Sequence, residues 1–128
     1  MAVDPRIPLL IVDDDRAMLR TIRGLLSQLG FANVDQAADG RLALERLRRK
    51  HYQLVISDWN MAPMTGLQLL TEMRADGRLN STPFIMVTAE STAEKRVAAK
   101  DAGANGYIVK PFGAAMLKSK LQAVLGRF

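Results

Sequence analysis

Short apolar runs alternate along this chain with longer stretches in which apolar residues recur every three or four positions. The first run, IPLLIV at residues 7–12, is rich in branched side chains and has no polar interruption. That pattern predicts a strand buried on both faces of a parallel sheet. It ends at Asp13-Asp14-Asp15. Met18, Ile22, Leu25, Leu26 and Leu29 then share one helical face, and Gly30 closes that helix. Val34 to Ala37 reads as a weaker second strand. Asp39 is placed to cap a second helix carrying Leu42, Leu44 and Leu47. Residues 53–57 form a third strand that runs into Asp58. A turn marked by Asn60, Pro63 and Gly66 precedes a third helix, with Leu67, Leu70 and Met73 expected inward. Pro83 opens a fourth strand, Phe84-Ile85-Met86-Val87, which ends at Thr88. Ser91 and Glu94 have capping-box spacing for a fourth helix, weakly apolar at Val97, Ala98 and Ala99, that stops near Gly103. Tyr107-Ile108-Val109 is a fifth strand ending at Lys110-Pro111. The fifth helix carries Leu117, Leu121, Val124 and Leu125.

The repeat is βα, five times. Such alternation predicts an α/β domain: a five-stranded parallel sheet with right-handed crossovers and helices on both faces. Ligands of open sheets of this kind sit beyond the carboxyl ends of the strands. Asp13-Asp14, Asp58, Thr88-Ala89 and Lys110-Pro111 all lie at such ends.

Composition narrows the chemistry. The 128 residues fit one domain, and 48% hydrophobic content is enough for a core. There is no cysteine, so no disulfide framework or thiolate metal site, and the single histidine, His51, rules out a multi-histidine zinc site. No apolar run approaches the roughly 20 residues of a membrane span. The N-terminal residues lack the basic start, apolar stretch and cleavage site of a secretory signal. A cytoplasmic protein without membrane insertion is expected. The net charge of +5 raises nucleic acid as a partner. The basic residues are scattered, however. Their one cluster, Arg46, Arg48, Arg49 and Lys50, falls at a predicted helix end, where cations complement the helix dipole. Nucleic-acid binding is not expected.

Three carboxylates converging at strand ends repel one another, and a dication relieves the repulsion. Oxygen-only ligands favour Mg²⁺ or Mn²⁺ over zinc. Lys110 adds a point charge and Thr88 a hydroxyl donor. A cation, a lysine, a hydroxyl and backbone N–H groups together suit a transferring phosphoryl group, with one carboxylate as its acceptor. Taken singly, each feature has a plainer reading. Asp13-Asp14-Asp15 are also good helix caps, Lys110-Pro111 is an ordinary helix start, and Thr88 an ordinary strand end. Their joint occurrence at strands one, three, four and five favours the functional reading.

The segments IVDDD (11–15), SDWNM (57–61), MTGLQLL (64–70), VTAE (87–90) and GYIVKPF (106–112) occur in an order and spacing that resembles the receiver domain of two-component response regulators. The resemblance covers essentially the whole chain and is greatest to the single-domain chemotaxis regulators. It implies a flavodoxin-like fold with strand order 2-1-3-4-5, and one receiver domain over 1–128 without an output domain. It implies that Asp58 accepts a phosphoryl group from a histidine kinase (CheA-like). It assigns Mg²⁺ binding to the Asp14 and Asp58 side chains and the Asn60 carbonyl, with Asp13 supporting the ion. Lys110 would contact the phosphoryl oxygens, aimed at Asp58 by a cis Lys110-Pro111 bond. Thr88 would donate its hydroxyl and Ala89 its backbone N–H. Tyr107 would turn into the space Thr88 leaves, altering the surface of helix four, strand five and helix five. Asn60 and Glu90 would tune the rate of phosphate loss. The implied output is control of chemotaxis through a flagellar motor switch protein (FliM-like), with the protein a monomer.

The loop NMAPMTG departs from the familiar chemotaxis form. Proline stands one position later, and Thr65 occupies the place of an acid, so the loop is expected to follow its own path. Two other functions compete. The chain would serve as a phosphate sink or stand-alone receiver of another pathway. Alternatively it would be an aspartate-nucleophile phosphatase of the haloacid dehalogenase type, which needs a general acid two positions after the nucleophile. Here that position is Asn60.

Overall fold

The computed structural model describes residues 3–128. The elements are β1 (Leu9–Val12), α1 (Arg16–Gln28), β2 (Val34–Ala37), α2 (Gly40–Arg49), β3 (Leu54–Asp58), α3 (Gly66–Ala75), β4 (Phe84–Thr88), α4 (Ala93–Ala102), β5 (Gly106–Val109) and α5 (Ala114–Leu125). All strand pairs are parallel, in the order β2-β1-β3-β4-β5. The three central strands are buried along their whole length, while β2 and β5 are partly exposed edges. This is why the central strands read as unbroken apolar runs and the edges do not. Among the described residues no helix is long and apolar enough to cross a membrane.

Alternate residues of each strand feed opposite core layers, because side chains on a strand alternate faces. Leu9, Ile11, Leu54, Ile56, Ile85 and Val87 pack with α1 and α5. Leu10, Val12, Val55, Phe84 and Met86 pack with α2, α3 and the inner side of α4.

The helical stripes are centred differently from the sequence pattern in places. In α1 the fully buried residues are Leu19, Ile22 and Leu26, with Met18, Leu25 and Leu29 half-buried beside them. In α3, Leu69 takes the core position with Leu70 and Met73, and Leu67 is half-buried. In α2, Gly40, Ala43, Leu44 and Leu47 form the buried stripe, leaving Leu42 on the outer rim. The first strand starts at Leu9 rather than residue 7, because Pro8 has no N–H and the Ile7 N–H is turned back onto Asp4 O (3.3 Å).

Asp15 caps α1, accepting from the Ala17 and Met18 N–H groups, and Asp39 caps α2 through Leu42 N–H. Gly30 follows α1 at φ +101°. There Gly30 N–H donates to Ser27 O and Phe31 N–H to Leu26 O, the paired bonds of a left-handed helix stop. The capping box expected from Ser91 and Glu94 does not form. Thr92 adopts the extended backbone of an N-cap and accepts from Lys95 N–H, so the position that would return the bond is a lysine. A capping box is found instead on α3, between Thr65 and Gln68.

Helix α4 is the least embedded, with Ala99 its only fully buried residue and Val97 56% exposed. Its C-terminal end is tied down by Arg74 of α3, whose guanidinium donates to Gly103 O, Leu79 O and Asn105 Oδ1.

Candidate functional site

The parallel register staggers the strand ends. Val12 faces Ser57, Asp58 faces Val87, and Thr88 faces Val109. Asp13, Asp58, Thr88 and Lys110 therefore form a rising row across β1, β3, β4 and β5. Backbone bonds continue the sheet past its formal ends: Asp13 N–H to Ala37 O, Trp59 N–H to Val87 O, and Lys110 N–H to Thr88 O.

Asp13 is 1% exposed and Asp58 7%, while Asp14 lies open to solvent. One carboxylate oxygen from each of the three lies within 4.8 Å of the others. Lys110 Nζ is 3.0 Å from Asp58 Oδ1 and 3.3 Å from Asp13 Oδ2. The Lys110-Pro111 bond is cis. The Asp15 N–H fixes Asp13 by donating to its Oδ1 (2.9 Å). The three consecutive acids thus divide the work: Asp15 caps the helix, Asp13 is buried against Lys110, and Asp14 faces outward.

Burial raises the Asp58 carboxyl above its ordinary range against the pull of Lys110, and nearby Asp14 adds to the rise. Asp13 is raised in the same way, by burial and by the Asp58 charge, against the Asp15 N–H and Lys110. Burial works against the Lys110 ammonium, but bonds to Asp58 and Asp13 outweigh it and hold its proton more tightly than usual. One cation for three acids leaves the cluster negative. Three oxygen donors, two walled in and one open for entry, make a site able to hold a metal ion of hard character.

The turn after Asp58 is built for close approach. Gly66 N–H donates to Trp59 O (2.8 Å), and a Cβ on Gly66 would collide with the Asp58 carbonyl. Ser57 Oγ donates to that same carbonyl. The Ala62-Pro63 bond is cis, and Met64 packs against Gly40, so the unusual loop leans on the start of α2.

Thr88 is buried, and its Oγ1 accepts from Glu90 N–H (3.2 Å) rather than reaching the carboxylates. Tyr107 is half-buried and its hydroxyl donates to Glu90 O (2.8 Å). Asn60, Ala89 and Glu90 are exposed in the loops that follow β3 and β4. Lys95 escaped the sequence reading. Its ammonium sits 4.4 Å from the centre of the Trp59 ring and 3.8 Å from Glu90. No spacing rule points to it, because the contact depends on the path of the loop between β4 and α4.

Residues 9–122 match the family model described as response regulator receiver domain. The chain belongs to the response regulator receiver family. This receiver is 46% identical over 119 residues to the chemotaxis protein CheY of Pseudomonas aeruginosa, covering 93% of this chain and 96% of that protein. It is 47% identical over 119 residues to chemotaxis protein CheY-3 of Vibrio cholerae, covering 93% and 92%. Among solved structures, Vibrio cholerae CheY4 superposes with a TM-score of 0.87 at 36% identity, over 94% of this receiver and 99% of that chain. The receiver domain of a Pseudomonas aeruginosa sensor histidine kinase, solved with magnesium coordinated in its active-site cleft, gives 0.86 at 30% identity, over 94% and 98%.

Proposed function

We propose that this receiver is a chemotaxis regulator that is phosphorylated on Asp58 with Mg²⁺ in place. The observation that carries the reading is the convergence of Asp13, Asp14 and Asp58 with Lys110 at the strand ends. Asp14, Asp58 and the Asn60 carbonyl would hold Mg²⁺, with Asp13 in support, and the ion would supply positive charge against the acids and the incoming phosphoryl oxygens. An Asp58 carboxylate oxygen attacks phosphorus of a phosphohistidine on a CheA-like kinase. The new P–O bond forms an acyl phosphate as the P–N bond breaks, and the electron pair leaves on the imidazole nitrogen. Lys110 exchanges its bond to Asp58 for phosphoryl oxygens, and the Ala89 N–H faces the same group. Asp58 is the only covalent intermediate, and the chain turns over no other substrate.

The output rests on Glu90. Its peptide N–H is held by Thr88 and its carbonyl by Tyr107. When the Thr88 hydroxyl turns to donate to the phosphoryl group, it releases the Glu90 N–H. The loop shifts, and Tyr107 loses its outer anchor and moves inward. The phosphoryl group favours the arrangement it binds better, so the change is a shift of population. The exposed face of α4, β5 and α5, with Val97 and Met116, then docks a FliM-like motor switch protein in the cytoplasm. Asn60 and Glu90, flanking the entry, set the lifetime of the acyl phosphate. Relatives named chemotaxis protein CheY, matched over nearly their full length, support a role in chemotaxis.

Trp59 is the only tryptophan and adjoins Asp58. Its fluorescence is expected to change on adding Mg²⁺, and to change again, reversibly, on adding acetyl phosphate. The Asp58→Asn variant should show no second change. An identical acetyl phosphate response in that variant would overturn the assignment.

A further inference from the structure

A broad concavity lies away from Asp58. A groove of about 740 Å³ runs along the open edge of β2, walled by α1 and α2. Leu9 N–H donates to Asn33 O, and Asp13 N–H to Ala37 O. Asn33, Asp35 and Ala37 therefore turn their peptide groups towards β1. The alternate residues, Val34 and Gln36, turn theirs to the open side. An unpaired edge of this kind is a template for another strand.

The walls of the groove are basic. Arg16 and Arg20 stand on α1, and Arg46 and Arg49 on α2. Among the described residues, none of these four makes an ion pair. The acid on the strand, Asp35, is engaged by Tyr52 (2.6 Å) and Lys50 (3.0 Å) and feels the Arg46 charge, and Glu45 is the other carboxylate lining the groove. Arg46 and Arg49 taken alone would be solvated helix-end cations. The fold sets two α1 arginines across from them, a juxtaposition the sequence does not reveal. Leu42, 36% exposed, adds an apolar patch to the same rim.

We propose that this groove binds an acidic, extended segment of a partner protein as an added strand on β2. Its carboxylates meet the facing arginines, and its backbone pairs with Val34 and Gln36. An extended polypeptide matches the repeat of outward donors and acceptors on an edge strand. Single-stranded nucleic acid needs exposed rings for stacking. The groove's one ring, Tyr52, is 3% exposed, with Lys50 packed over it at 5.3 Å. The surface is separate from the α4-β5-α5 face, so the inference stands independently of the motor reading.

The test titrates the ¹⁵N-labelled full chain with three probes. These are a dodecapeptide repeating Glu-Glu-Thr-Thr, which sets glutamates on both faces of an added strand, its Gln-Gln-Thr-Thr counterpart, and a twelve-residue oligothymidine. The acidic peptide should shift the Gln36 amide and its β2 neighbours saturably, and the neutral peptide should bind more weakly. The double variant R20E/R49E reverses one exposed charge on each wall. It should lower affinity by about tenfold, from the sum of several surface charge pairs. Its Mg²⁺ response at Trp59 should be unchanged, which shows that the fold is intact. Absence of saturable shifts on β2, equal binding of the neutral peptide, or unchanged affinity in R20E/R49E would each overturn the proposal. Tighter binding of the oligothymidine to the same amides would also overturn it, and would assign the groove to nucleic acid.

Discussion

Replacing Asp58 with asparagine should stabilise the metal-free protein. The ion pair with Lys110 spans 3.0 Å, which at an effective dielectric constant of about 20 corresponds to an attraction of ~5.5 kcal/mol. The Asp13 carboxylate, within 4.8 Å, repels Asp58 by ~3.5 kcal/mol on the same basis. Charge pairing alone therefore leaves Asp58 about 2 kcal/mol in favour of ionisation. Against this stands the burial of a carboxylate that is 7% exposed, an effective penalty of several kcal/mol. Asp14 adds further repulsion, screened by water. Burial wins, in keeping with the raised affinity of Asp58 for its proton. Because the folded state holds that proton more tightly than the unfolded chain, stability falls as pH rises through the Asp58 titration. A neutral amide escapes this loss. The expected gain for Asp58→Asn at pH 7 is on the order of 1–2 kcal/mol, or roughly 3–8 °C in melting temperature. Urea and thermal unfolding in excess chelator read it directly. With saturating Mg²⁺ the order should reverse or close up, because an ion at the proposed site would stabilise the folded wild type by mass action and the variant would lack one of its ligands. A variant less stable than wild type in chelator would refute the reasoning, since it would mean that the Lys110 pair outweighs burial.

Other measurements probe neighbouring features. Lys110→Ala should leave Mg²⁺ affinity largely intact while blocking the acetyl phosphate response of Trp59, and a collapse of Mg²⁺ affinity would contradict its assigned role. Gly66→Ala places a methyl against the Asp58 carbonyl and should cost about 1–3 kcal/mol in urea unfolding. Wild-type stability there would show that the turn is not tight. The Tyr52 phenol is pushed up to about 12 by burial and by its bond to Asp35. Its contribution should be complete below pH ~10 and disappear as pH rises towards about 12. The alkaline stability limb of Tyr52→Phe should therefore be flatter, and an unchanged limb would count against the bond.

The architecture was legible because most of its strands are sandwiched between two helical layers. LLIV, LVI and FIMV carry no polar interruption, and a sheet covered on both faces demands that. VDQA has only two apolar residues and still forms β2, because an edge strand buries two positions and leaves the rest to solvent. The pattern does not specify details that one residue decides. Thr92 rather than Ser91 caps α4, and Leu69 rather than Leu67 enters the core, since a helix can rotate by a fraction of a turn without altering its overall pattern. At the site, acids at the tips of buried strands stand out because their burial needs a reason. The bonds that join Thr88 and Tyr107 through the backbone of Glu90, and the seat of Lys95 over Trp59, were not legible. They depend on the course of a loop that has no periodicity.

The shallow seating of α4 sets the energy scale of any switch built on this scaffold. A helix that contributes one alanine to the core loses little apolar contact when it tilts, whereas α3, with Leu69, Leu70 and Met73 inside, would lose about 1.5–3 kcal/mol for each large side chain withdrawn. The Arg74 bonds hold the far end of α4, so movement concentrates at the end next to Glu90. A tilt of the helix would pivot at Gly103, the residue that Arg74 holds. A few kcal/mol of differential binding at one modified carboxylate would be enough to drive such a tilt, with the deeply seated α3 as its fulcrum.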